Sequence, residues 1–285
     1  MGRITSRRKV VQARGDGARS TLLDTLAVEE PLEIRSAGEV MNVTMRTPGA
    51  DFDLVAGWLV GEGLVRGTRE LTSMSYCPGL DDHGRQTYNV IEVILADHLG
   101  IGRAPRTTFA SSACGICGTA SLESVRVASP YDVAADRLEI DGAVLAALPD
   151  RLRSAQVVFE RTGGLHAAGL FTADGGLLCI REDVGRHNAV DKVIGWALRE
   201  GLLPLRGHVL QVSGRASFEL VQKAAVAGIP VLSAVSAPSS LAADLAEEAG
   251  LTLAGFVRGG GFNLYSRPER VPDRSRLAVS GTRGT

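Results

Sequence analysis

From about Thr21 to Arg106, apolar and polar positions alternate with a period of two, broken by one helical run. Leu32-Glu33-Ile34-Arg35 and Val40-Met41-Asn42-Val43-Thr44-Met45 flank Ser36-Ala37-Gly38-Glu39, which predicts a hairpin. Pro48-Gly49 breaks the pattern. Asp51 and Asp53 then open an amphipathic helix over Phe52 to Val60, ended by Gly61 or Gly63. Leu71 to Cys77 and Tyr88 to Leu95 read as two further strands, with a polar turn at Asp81-Asp82-His83-Gly84.

The pattern changes after the connector Gly100-Ile101-Gly102-Arg103-Ala104-Pro105. Asp141 to Phe159 has helical spacing interrupted at Pro149. His166 to Phe171 and Gly176 to Ile180 predict a hairpin around Ala173-Asp174-Gly175. Helices follow over Asn188 to Arg199, Ser217 to Ala227, and from a Ser239 or Ser240 cap to Ala249. Gly201, Gly228 and Gly250 close them. Val209 to Val212, Ile229 to Val235 and Leu251 to Val257 are the intervening strands. This alternation predicts a layered α/β domain with a largely parallel sheet, behind a smaller β-rich domain, so α+β overall. The expected boundaries are an unstructured basic arm at 1–20, a β-rich domain at 21–105, an α/β domain at 106–267 and an unstructured tail at 268–285.

Composition narrows the function classes. The chain has 285 residues, 45% hydrophobic residues and a net charge of -1, which gives no reason to expect nucleic-acid binding. The Arg7-Arg8-Lys9 run reads as a charged arm. No apolar run reaches the roughly 18 residues of a membrane helix, and Met1 to Arg19 lacks the apolar core of a signal peptide. A cytoplasmic, reduced protein is therefore expected. Of four cysteines, Cys179 lies in an apolar strand and reads as a core thiol, and Cys77 reads as structural.

The other two thiols lie in Ser111-Ser112-Ala113-Cys114-Gly115-Ile116-Cys117-Gly118, a glycine-rich loop. Such a pair can form a disulfide, share a metal or carry sulfur. Structural zinc needs four ligands, and no second pair follows at a finger-like spacing. The Gly115-Ile116 centre also disfavours a thioredoxin-type motif, without deciding against a redox switch. Four more clusters place glycines with Arg or His at strand ends. They are Thr162 to Ala168 with His166, Arg181 to Asn188, Ser213-Gly214-Arg215, and Phe256 to Asn263. Arg181, Arg186 and His187 beside a helix N-terminus suit an anion, although ion pairing and capping alone would explain Asp183 and Asn188. Together the corners suggest a pocket for a phosphate-rich ligand.

Arg181-Glu182-Asp183-Val184-Gly185-Arg186-His187-Asn188-Ala189-Val190-Asp191-Lys192-Val193-Ile194-Gly195 resembles the signature of the formate dehydrogenase accessory sulfurtransferases, the FdhD/NarQ-type sulfur carriers. Cys114 to Gly118, Gly163 to Ala168 and Ser213 to Arg215 fit that family's pattern in the same order, and the resemblance covers about Pro31 to Tyr265. It implies a cytoplasmic homodimer whose C-terminal domain is similar to the cytidine-deaminase fold. It implies sulfur taken from a cysteine desulfurase and delivered to the molybdenum or tungsten of bis-molybdopterin guanine dinucleotide for formate dehydrogenase. Cys114 would carry the persulfide and Cys117 assist, either by releasing the sulfur or by orienting it. Phe256, Val257, Arg258, Gly259, Gly260 and Gly261 would contact the cofactor, with Asp183, Arg186, His187, Asn188, His166, Ser213 and Arg215 completing its site. The family pattern has an arginine where this chain has Gly261, so one anion contact is missing or supplied elsewhere.

Two other readings compete. A zinc deaminase needs a glutamate two residues after its His or Cys ligand and a downstream Pro-Cys-x-x-Cys. His166 is followed by Ala167 and Ala168, and Gly214-Arg215-Ala216-Ser217 carries no thiol, so no metal site is expected. A non-catalytic chaperone for the molybdenum cofactor, with the two thiols as a redox latch, is the alternative to sulfur transfer.

Overall fold

The computed structural model describes residues 3–80, 84–96 and 127–273. The chain divides into two compact units, and neither is continuous in sequence. The first takes the chain up to Arg126 with Gln156–Ala167 and Arg181–Gly201; the second takes Val127–Ala155, Ala168–Ile180 and the chain from Leu202. A boundary near residue 105 was expected. Two later segments return to the first unit, and hydrophobic periodicity carries no record of such a return.

The first unit opens with an antiparallel ribbon, β1 (Thr5–Ala13) and β2 (Arg19–Ala27). An unstructured arm was expected here, because Arg7-Arg8-Lys9 reads as a charge run. On a strand those residues alternate between faces, with Lys9 opposite Leu23 and Arg8 opposite Asp24. The turn is made by Gly17 at φ 88 and by Asp16, whose carboxylate accepts from the Ala18 amide at 3.0 Å.

β3 (Glu30–Ser36), β4 (Glu39–Arg46), β5 (Leu71–Tyr76) and β6 (Val90–Leu95) form a sheet in the order β4-β3-β6-β5. The β3–β4 hairpin turns on Ala37 and Gly38, both left-handed, as its sequence predicts. Helix α1 (Asp51–Gly61) packs against α4 (Arg186–Arg199). At their crossing, a Cβ on Gly57 would lie 1.8 Å from the Asp191 carbonyl oxygen, and one on Gly195 1.8 Å from that of Asp53. Only glycine lets these backbones approach so closely.

In the remaining elements, α2 (Gly142–Ala155) accommodates Pro149 and ends instead before Gln156, and α3 (Val157–Thr162) follows. β7 (His166–Thr172) and β8 (Leu177–Asp183) form the expected hairpin. β9 (His208–Val212), α5 (Phe218–Val226), β10 (Val231–Ala234), α6 (Ser240–Ala249) and β11 (Thr252–Arg258) alternate as predicted. The α6 caps match the sequence signals: Ser239 Oγ accepts from the Ala242 amide at 3.2 Å, and Gly250 is left-handed at φ 68.

The six-stranded sheet runs β12-β11-β10-β9-β7-β8. Only β9, β10 and β11 are mutually parallel; β7 and β12 (Gly261–Ser266) run antiparallel to their neighbours β9 and β11. The largely parallel expectation is thus half right. β12 was missed because Gly259-Gly260 reads as a ligand-approach loop, whereas here it is the two-residue turn of a hairpin, with φ of 58 and 79.

The core of the second unit is continuous from β9 through β11, with Leu210, Leu232 and Leu253 fully buried. Cys179 is buried, as its apolar strand predicts. The tail also departs from expectation, since Arg270 is buried and donates to the carbonyls of Gly250 and Val133, both at 2.8 Å. No helix among the described residues is long and apolar enough to cross a membrane.

Candidate functional site

Parallel strands deliver their following loops to one sheet edge, and this is where the second unit gathers its predicted residues. The loops after β9, β10 and β11 are stitched together. The Ser236 amide donates to the Gly214 carbonyl at 3.3 Å, Ser239 to Ala216 at 3.1 Å, and Phe256 to Ser236 at 3.2 Å. Gly214, between Ser213 and Arg215, is thereby linked through Ser236 to Phe256. Phe256 is held left-handed at φ 52, and the Arg258 guanidinium lies 5.5 Å from its ring centroid. Arg215 and Arg258 are exposed. Beyond them a Cβ on Gly259, Gly260 or Gly261 would meet nothing within 4 Å. This edge therefore offers cations, an aromatic face and an unobstructed backbone. The Val257 side chain is fully buried in the core.

In the first unit, the corner from β8 into α4 collects His166, Asp183, Arg186, His187 and Asn188. The fully buried Asp183 carboxylate accepts from the Thr47 and Gly185 amides (3.1 and 2.8 Å) and from Asn188 Nδ2 (3.2 Å), and pairs with Lys192 Nζ at 2.6 Å. Asn188 Nδ2 also donates to the Met45 carbonyl at 2.7 Å. Asp183 and Asn188 are therefore spent on the protein itself and hold the Thr44–Thr47 backbone against the corner. Arg181 is also committed, donating to Asp53 Oδ2 through Nε and Nη2 at 3.0 and 2.7 Å. Glu182 caps α3, accepting from the Val158 and Phe159 amides at 2.9 and 2.7 Å.

Arg186 is what remains for a ligand, with His166 and His187 near it. Arg186 Nε is buried and has no hydrogen-bond partner among the described residues, a cost that an anion would relieve. Burial, reinforced by the positive charges of Arg186 and His187, pushes the half-buried His166 below its ordinary pKa of 6.5, against the pull of Asp183. We expect NMR titration to place His166 below 6.5, and Arg186→Gln to move it upward; a wild-type value at or above 6.5 would refute this. The sign for stability follows. The unfolded chain takes up this proton first, so His166 costs stability as pH falls below about 6.5, down to its folded pKa.

Sequence reasoning missed a second buried network. Arg46, 1% exposed, donates to both Asp51 oxygens at 3.2 and 3.0 Å, and to Asn89 Oδ1 at 3.1 Å. Asp51 in turn accepts from the Tyr76 hydroxyl at 3.0 Å. Burial first, and then the Asp51 carboxylate, keep the Tyr76 phenol protonated well above the usual tyrosine range. No local signal marked Arg46, because it falls in phase with the polar Asn42 and Thr44, whereas the apolar Val43 and Met45 are exposed positions of β4. Cys114 and Cys117 lie outside the described residues.

Comparison with known proteins then defines the class. The FdhD/NarQ family model matches residues 27–272, so the chain belongs to that family. A relative from Nocardia farcinica named sulfur carrier protein FdhD is 54% identical over 282 residues, covering 99% of each chain. One of the same name from Streptomyces coelicolor is 55% identical over 280 residues, covering 97% of this chain and 99% of its own. A crystal structure from Desulfotalea psychrophila carrying the name formate dehydrogenase accessory protein matches with a TM-score of 0.72. Its sequence identity is 27%, over 95% of this chain and all of the other.

Proposed function

We propose that this protein is a sulfur carrier that accepts persulfide sulfur from a cysteine desulfurase and delivers it to bis-molybdopterin guanine dinucleotide, the cofactor required by formate dehydrogenase. The observation that carries this reading is kinship along nearly the whole chain with relatives named sulfur carrier protein FdhD, at 54% and 55% identity. The geometry supports the substrate class. In the second unit the open glycine turn with Arg215 and Arg258 suits a phosphate-bearing ligand, and in the first unit the orphaned Arg186 donor suits an anion. The hairpin followed by three parallel strands suits a deaminase-like sheet whose zinc chemistry is absent. On this reading the protein works in the cytoplasm as a homodimer.

In the relay, the Cys114 thiolate attacks the outer sulfur of the desulfurase persulfide. The S–S bond of that persulfide breaks, the desulfurase cysteine leaves as thiolate, and Cys114 holds the sulfur as a persulfide. The Cys117 thiolate then attacks Cys114 Sγ, expelling hydrosulfide to the metal of the substrate. The two cysteines supply the two electrons and end as a disulfide, which a thiol reductant resets.

Peptide mass spectrometry after incubation with a cysteine desulfurase and cysteine tests the first step. The peptide holding Cys114 should gain one sulfur atom that a reductant removes, and Cys114→Ala should gain none there. If neither Cys114 nor Cys117 gains sulfur while guanine nucleotide still binds, the chain is a cofactor chaperone instead.

A further inference from the structure

Within the first unit, a hollow of about 250 Å³ is lined by Gly49, Ala50, Asp51, Phe52, Tyr76, Tyr88 and Arg199. The relay above uses none of these residues. Three rings wall it. Phe52 and Tyr76 meet at 4.9 Å between centroids with a 41° tilt, and Tyr76 and Tyr88 meet edge-on at 5.2 Å. The walls are fixed from behind. Asp51 holds the Tyr76 hydroxyl, Arg46 grips Asp51 in a bidentate pair, and Arg46 Nη2 also donates to the Tyr88 carbonyl at 3.2 Å.

Two residues of the lining, Ala50 and Tyr88, are left-handed at φ 53 and 57, a conformation that side chains other than glycine rarely adopt. Such backbones persist where the surroundings over-determine them, and they cluster at ligand sites. Arg199, half-exposed, is oriented by an ion pair with Asp53, which Arg181 shares.

We propose that this hollow is a binding site for a small planar aromatic ring bearing an anionic group, with the ring among Phe52, Tyr76 and Tyr88 and the anion at Arg199. Size supports a single ring, since a dry cavity of about 150 Å³ already accepts benzene and 250 Å³ leaves room for a substituent. Charge decides against a cation, which an aromatic box alone would favour. The Asp51 carboxylate is buried and engaged by Arg46 and Tyr76, whereas the Arg199 guanidinium, though paired with Asp53, stays half-exposed and is the charge a ligand can reach.

The test uses the full chain with benzoate and phenyl phosphate as probes and benzyl alcohol as the neutral control, followed by calorimetry and ligand-detected NMR. Both anions should bind saturably at least tenfold more tightly than the alcohol. Arg199→Gln should erase that preference, and Phe52→Ala should weaken all three probes. Sulfur loading of Cys114 should be unchanged in both variants, so this proposal and the sulfur-carrier reading fail separately. No saturable binding of either anion, or a preference that survives Arg199→Gln, would overturn the proposal.

Discussion

Gly195→Ala should destabilise the first unit by about 3 kcal/mol or more, although alanine is the better helix former. In an exposed helix this change would gain about 1 kcal/mol. Here the new Cβ would lie 1.8 Å from the Asp53 carbonyl oxygen and 2.5 Å from the Gly57 amide nitrogen. Both obstacles are backbone, so no side chain can rotate away, and α1 and α4 must separate. Inserting volume into a close-packed contact commonly costs about 1–3 kcal/mol even when side chains can yield, so the clash overrides the propensity. Gly57→Ala should behave alike, since its Cβ meets the Asp191 carbonyl oxygen at 1.8 Å.

The protein carries its own reporter. Its two tryptophans are Trp58 on α1 and Trp196 on α4, so intrinsic fluorescence follows this helix pair. The fluorescence-detected urea midpoint should fall sharply for either variant. It should hold within about 0.5 kcal/mol for Gly261→Ala, whose Cβ would meet open space. Unchanged midpoints at Gly57 and Gly195 would mean that the helices do not cross as described.

These two glycines also show where sequence reading stops. Helix α6 was legible end to end because Ser239 and Gly250 act on their own backbone, within a turn of themselves. The Ala37-Gly38 hairpin was legible for the same reason. Nothing local marks Gly57 and Gly195, because the residues that require them lie more than a hundred positions away.

The candidate site divides along the same line. The glycine-rich corners after β9 and β11 were found because turn chemistry is local. For Asp183 and Asn188 the sequence left ion pairing and capping open beside a ligand contact, and their partners Met45 and Thr47 were not legible because they belong to a distant strand end. The ribbon β1–β2 was hidden for a different reason: a run of three basic residues outweighed an alternation that becomes visible only once a partner strand is supplied.

Lys192→Met should cost about 3–5 kcal/mol, the usual result of orphaning one member of a buried ion pair. The pair is fully enclosed, with Lys192 2% and Asp183 0% exposed. Removing the ammonium leaves the carboxylate facing the Thr47 and Gly185 amides and Asn188 Nδ2, three neutral donors that do not replace a charge. It also strips a donor from the Thr47 carbonyl, which Lys192 holds at 2.8 Å.

Asp183→Asn should be damaging for the complementary reason, leaving the ammonium buried without its counter-ion. Asp183→Asn combined with Lys192→Met should be less destabilised than the sum of the singles, because neither charge is then stranded. Urea titrations of the four proteins, followed by tryptophan fluorescence, measure this coupling. Simple additivity would show that the pair does not act as a unit. Strong coupling would show that the two charges act as a unit in holding the corner that carries Arg186 and His187.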